Sequence, residues 1–108
     1  MLKWQDAKKG NSMKLGFKCA KIEAGLKYIK VRLVIPVNCI IELYVNGSAP
    51  IVIKNNDEIG VQEFDLGIHD IKHGLNQLQI HLISPGDGKD KLDNKDYFGI
   101  DKLIFSNH

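Results

Sequence analysis

Ile41-Glu42-Leu43-Tyr44-Val45-Asn46-Gly47, with the return segment Ile51-Val52-Ile53-Lys54, decides the fold class. Ile41, Leu43 and Val45 alternate with Glu42 and Tyr44, the two-residue period of a strand that buries one face. Asn46-Gly47 supplies two residues that tolerate positive φ, which is what a tight type I′ hairpin needs between strands. The same period recurs outward from this hairpin. Upstream, Ile29, Val31, Leu33 and Ile35 read inward and Lys30 and Arg32 outward until Pro36 stops the run. Further upstream, Leu15, Phe17 and Cys19 alternate with Lys14 and Lys18. Downstream, Leu78, Ile80 and Leu82 face inward against Gln77, Gln79 and His81, and Ser84-Pro85-Gly86 ends the strand.

Two downstream stretches read less regularly. Over residues 61–66, Val61 falls out of phase with Phe64 and Leu66, which predicts a bulge or a late start. Residues 69–76 read as a short extended piece followed by a turn. A last strand is expected over residues 99–105, with Asp101, Leu103 and Phe105 on one inward face. No window of helical length carries a 3.6-residue period, and turn signals recur at the spacing of an antiparallel sandwich. The prediction is an all-β, antiparallel two-sheet β-sandwich in one domain over residues 13–108, preceded by a poorly ordered lead-in at residues 1–12.

Composition narrows the function classes. A chain of 108 residues, 44% hydrophobic and 26% charged, closes one core without metals or disulfides and holds no run long enough for a membrane span. Its first residues lack the apolar region of a secretory signal, which fits an intracellular chain or a module of a longer exported protein. Cys19 and Cys39 are the two cysteines; buried free thiols are the expected state, with a Cys19 to Cys39 bridge as the alternative. The serines lack a nucleophile elbow and neither cysteine has a histidine near it in sequence, so no enzyme is expected. His69 and His73, four apart in a strand context, lie too far apart along the backbone to share a metal and read as surface residues.

Charge is uneven. Residues 1–32 carry nine Lys or Arg against Asp6 and Glu23, whereas residues 33–108 carry six against eleven acids. One reading is a bipolar solvated surface; another is a face of Lys18, Lys30 and Arg32 for an anionic polymer, with nucleic acid disfavoured because aromatics are not interleaved. The segment 87–96 sets Asp87, Asp90, Asp93, Asn94 and Asp96 among Lys89, Lys91 and Lys95. Its oxygens suit calcium, and its lysines suit a solvated loop. Asp101, expected on an inward parity, demands a partner or a metal.

Four segments in order carry a resemblance: Ala24-Gly25-Leu26-Lys27-Tyr28-Ile29-Lys30-Val31-Arg32; Ile41 to Gly47; His73-Gly74-Leu75-Asn76-Gln77-Leu78-Gln79-Ile80; and Gly99-Ile100-Asp101-Lys102-Leu103-Ile104-Phe105. Together they resemble the carbohydrate-binding modules of families 6 and 35, with Trp4-Gln5-Asp6-Ala7 standing where an N-terminal acidic motif is usual. The resemblance implies a galactose-binding-type jelly roll that binds polysaccharide or glycan without catalysis. It further implies a module attached to an enzyme or larger assembly, located outside the cell or on a cell or particle surface. It places a structural calcium at Asp101 with Asp96, and glycan contacts at Asn94, Asp96 and Tyr97, with Trp4 folded over that end and Tyr44 as a second platform. An aromatic ring suits the apolar C–H face of a pyranose, and an amide or acid orients its hydroxyls. The alternative is a structural assembly or decoration domain of a cell-surface or virus-particle complex, with no ligand site.

Overall fold

The computed structural model describes residues 2–4, 8–56, 61–86 and 98–107. Eight strands run in the order β1 (Leu2–Trp4), β2 (Ser12–Cys19), β3 (Gly25–Val34), β4 (Ile40–Val45), β5 (Ile51–Lys54), β6 (Val61–Ile71), β7 (Gly74–Ser84) and β8 (Phe98–Asn107), with one 3₁₀ turn at Lys21–Glu23. They form two four-stranded antiparallel sheets, ordered β1-β8-β3-β6 and β2-β7-β4-β5. Four of the pairings are nested: β4 with β5, β3 with β6, β2 with β7 and β1 with β8. The chain therefore folds as one long hairpin rolled over on itself, the jelly-roll arrangement.

The hairpin read from the sequence forms as expected. Asn46 has φ 50° and Gly47 φ 73°, and the Ser48 N–H donates to Val45 O at 3.0 Å. The inward rows Ile29, Val31 and Leu33 of β3, Ile41, Leu43 and Val45 of β4, and Leu78, Ile80 and Leu82 of β7 are all buried and meet in one core with Phe98 and Ile100. Burying each such side chain contributes roughly 1.5–3 kcal/mol, so these rows supply most of the drive that holds the sheets face to face. Cys39 is buried among them as a free thiol, and desolvation pushes its pKa up to about 12. Cys19 is also free and only half-buried, at the far end of β2.

Three register shifts break the simple alternation. Opposite β3, Ile29 pairs with Gly67 but Lys30 pairs with Asp65, leaving Leu66 as the extra residue. Gly67 takes φ 81° there, and its N–H donates to Asp65 Oδ1 at 3.0 Å. Val61 is simply an outward residue at the start of β6; the irregularity sits five residues later than its phase suggested. Because the bulge lets the strand continue, β6 runs through to Ile71 and absorbs the piece expected to stand alone. The second shift lies in β8, where Leu33 pairs with Ile100 and Arg32 with Lys102. Asp101 is the extra residue. The third skips Ile83 between the pairs Ile41 to Leu82 and Ile40 to Ser84. The expected lead-in over residues 1–12 contains β1, which pairs Leu2 with Ile100 and Trp4 with Phe98.

The register also divides the basic residues. Lys18 belongs to one sheet, whereas Lys30 and Arg32 stand on the other, so the three do not make one face. Across the strands Lys30 is opposite Asp65 and Arg32 opposite Glu63, cross-strand pairs of opposite charge. An anionic polymer would meet a compensated surface there.

Candidate functional site

The sandwich has two ends. At one, which we call the loop end, β3 leaves for β4, β5 leaves for β6, and segment 87–97 enters β8. At the other, the hairpin end, lie Asn46-Gly47, the 3₁₀ turn, the connection between β6 and β7, and the C-terminus of β8. Asn94, Asp96 and Tyr97 fall outside the described residues. Trp4 lies in β1, where its backbone is the register partner of Phe98, the residue that follows Tyr97 in sequence. Antiparallel pairing of the first and last strands thus brings Trp4 to the point where the Asn94 to Tyr97 segment joins the sheet.

Asp101 departs from its expected orientation. The bulge flips the phase of β8, so Ile100 is buried before it while Leu103 packs against the core after it, and Asp101 faces solvent with its side chain 36% exposed. Its carboxylate lies 3.6 Å from the Arg32 guanidinium. The demand for a partner is met by that exposed ion pair, which contributes little to stability. The same guanidinium opposes a cation at Asp101. Among the described residues no three His, Cys, Asp or Glu converge as metal ligands, so they do not by themselves fit calcium, and Asp96 is not described.

Tyr44 stands on the outer face of the sheet β2-β7-β4-β5, as its parity predicted. The register sets Tyr44 across from Gln79, which is itself opposite Lys14, and sets Glu42 across from His81, which is opposite Ser12. Two adjacent cross-strand rows therefore set an amide, a carboxylate, an imidazole and an ammonium on the same sheet face as the phenol. The Tyr44 hydroxyl donates to Glu42 Oε2 at 3.1 Å. Desolvation raises the phenol pKa, and the hydrogen bond to Glu42 and its negative charge act in the same direction. A half-exposed ring flanked by directional donors and acceptors has the chemistry a sugar ring needs, on a flat face rather than in a cavity.

Two asparagines within the matched motifs have structural duties. Asn76 is buried; its Oδ1 accepts from the Lys72 N–H at 2.9 Å and from Asn46 Nδ2 at 2.9 Å, and its Nδ2 donates to Lys72 O at 2.9 Å. Asn46 Oδ1 in turn accepts from the Gln77 N–H at 2.8 Å. This amide pair locks the β4–β5 hairpin to the connection between β6 and β7. At the loop end the buried Asn55 plays the same part, donating from Nδ2 to Ile35 O at 2.8 Å and accepting from Gln62 Nε2 at 3.0 Å.

The sequence reading did not anticipate an open cleft at the hairpin end. Phe17, Cys19, Ile71 and Phe105 lie along it, with Lys18, Lys27 and Asn107. Its one legible signal was the inward parity of Lys27, which extends the apolar row of β3 with a charged residue.

No family model matches the sequence, and no curated protein matches it. Among solved structures, an exo-beta-1,3-galactanase from Phanerochaete chrysosporium, crystallised with beta-1,3-galactotriose, is similar to this chain with a TM-score of 0.59 and 14% identity. The likeness covers 96% of this chain and 23% of the galactanase. At that identity it shows the β-sandwich fold.

Proposed function

We propose that this chain is a noncatalytic carbohydrate-binding module, carried by a larger protein at a cell or particle surface. The observation that supports it most is that a jelly roll like this one occupies about a quarter of a glycan-acting enzyme, matched over nearly the whole of this chain. In this reading glycan is held at the loop end by Asn94, Asp96 and Tyr97 with Trp4 beside them, and Tyr44 with Glu42 and Gln79 offers a second platform. Calcium enters as a structural ion on Asp96 and Asp101, for which Arg32 would have to give way. A glycan array run with calcium and again with chelator tests the proposal. Binding that Tyr97→Ala weakens at least about tenfold, or about 1.4 kcal/mol, supports it. Silence of the array in both conditions sinks it, and glycan binding unaffected by chelator removes calcium from the recognition step.

A second reading, an assembly or decoration domain, draws on a different surface. Leu26, Tyr28 and Ile68 share the outer face of the sheet β1-β8-β3-β6, where Tyr28 and Ile68 are direct cross-strand partners, and they are 55%, 41% and 41% exposed. Exposed apolar side chains grouped on one face mark contact surfaces. A concentration-dependent oligomer in size-exclusion chromatography that Tyr28→Lys dissolves would favour this reading.

A further inference from the structure

The cleft at the hairpin end is built from both sheets and has a volume of about 550 Å³. That lies within the roughly 300–1,000 Å³ range of small-molecule sites. Phe17 of β2 and Phe105 of β8 meet across the open edge of the core with ring centroids 5.5 Å apart and planes tilted by 44°. Phe105 remains 40% exposed, and Ile22 on the 3₁₀ turn is 91% exposed at the lip. Such a tilted pair accepts a third ring in edge or offset contact, with ring centroids roughly 4.5–7 Å apart. Lys27 and Glu23 bring one ammonium and one carboxylate to the rim, whereas Lys18 borders the cleft from a strand position on the outward parity of β2, opposite to Phe17 and Cys19.

Lys27 is the residue that gives the cleft its chemistry. It stands on the inward parity of β3, two residues before the buried Ile29, where the apolar row would otherwise continue. Its register partner Asn107 accepts a hydrogen bond from Nζ at 2.6 Å, an exposed contact that ties the ammonium to the end of β8 at the rim. An ammonium carries three donors, and this bond uses one of them. A charge held at the edge of an aromatic floor, and aimed by an amide, is suited to an anionic group attached to a ring.

We propose that this cleft is a binding site for small aromatic carboxylates, with the ring on Phe17 and Phe105 and the carboxylate on Lys27. The site lies at the opposite end of the sandwich from Phe98, where β8 begins, and its test involves no glycan, so this proposal and the glycan reading fail separately. The probes are 4-phenylbutyrate and its uncharged analogue 4-phenylbutyramide, titrated into the whole chain while amide chemical shifts are followed by NMR. The acid should saturate with a Kd near or below about 1 mM, a modest affinity of about −4 kcal/mol, and perturb Phe17, Lys27, Phe105 and Asn107. The amide should bind at least about tenfold more weakly, because it loses the charge-assisted contact. Lys27→Met should weaken the acid by a similar factor and leave the amide unchanged. Equal affinity for acid and amide, shifts that map away from the cleft, or no saturation by about 10 mM would each overturn the proposal. Should Lys27→Met fail to fold, the acid-to-amide ratio in the unaltered protein decides alone.

Discussion

At the residue scale, the asparagines and the aspartate of the matched motifs separate into structural and exposed roles. Asn76 belongs to one of the motifs that carry the resemblance, and it is buried and spends its amide on the backbone of Lys72 and on Asn46. Removing it leaves the Lys72 N–H and the Asn46 amide, in part-buried hydrogen bonds, without their acceptor, and an unsatisfied buried group costs about 1–3 kcal/mol. Asn76→Ala should therefore lower the unfolding free energy by about 1–2 kcal/mol, read as a drop in the urea midpoint at unchanged slope. A loss under about 0.5 kcal/mol would mean that water replaces the amide without cost. Asp101 shows the reverse case. Parity counted from Phe105 pointed it inward, but a skipped residue cannot be counted from one strand alone, and it lies exposed beside Arg32.

At the scale of elements, the bulges decide which side chains face where. A strand of period two that gains one residue exchanges its faces beyond that point. In β6 this happens at Leu66, so that Phe64 and Leu66 point inward before the bulge and Ile71 points inward after it. Gly67 makes the shift possible, since its φ of 81° lies in the left-handed region and a Cβ there would meet nothing within 4 Å. Gly67→Ala is thus a test of backbone conformation without steric contact. It should cost about 1–2 kcal/mol, the ordinary cost of holding a non-glycine residue in that region, measured by chemical denaturation. A neutral substitution would show that the bulge does not require that conformation. The sequence held the clue, a glycine between two inward-facing runs of opposite phase, but Val61 drew the phase break to the wrong place.

At the scale of the whole molecule, the nested pairing places the first strand against the last and the second against the seventh. Few of these contacts are local, and the chain must close long loops before they form, so folding should be slow for its length. Stopped-flow refolding is expected in the millisecond-to-second range; completion within about 100 microseconds would contradict the topology. Much of the architecture was legible in the residues. Strict alternation in residues 41–45, 29–33 and 78–82, with Asn46-Gly47 between strands, determined an all-β chain, its main hairpin and many of its buried side chains, because a half-buried strand has no other way to distribute apolar residues. Only the tertiary structure decided the rest. Sheet order, the phase of β8 at Asp101, the separation of Lys18 from Lys30 and Arg32, and the cleft between Phe17 and Phe105 all arise from pairing between strands distant in sequence. A period of two within one strand carries no information about which neighbour that strand will have or where its partner skips a residue.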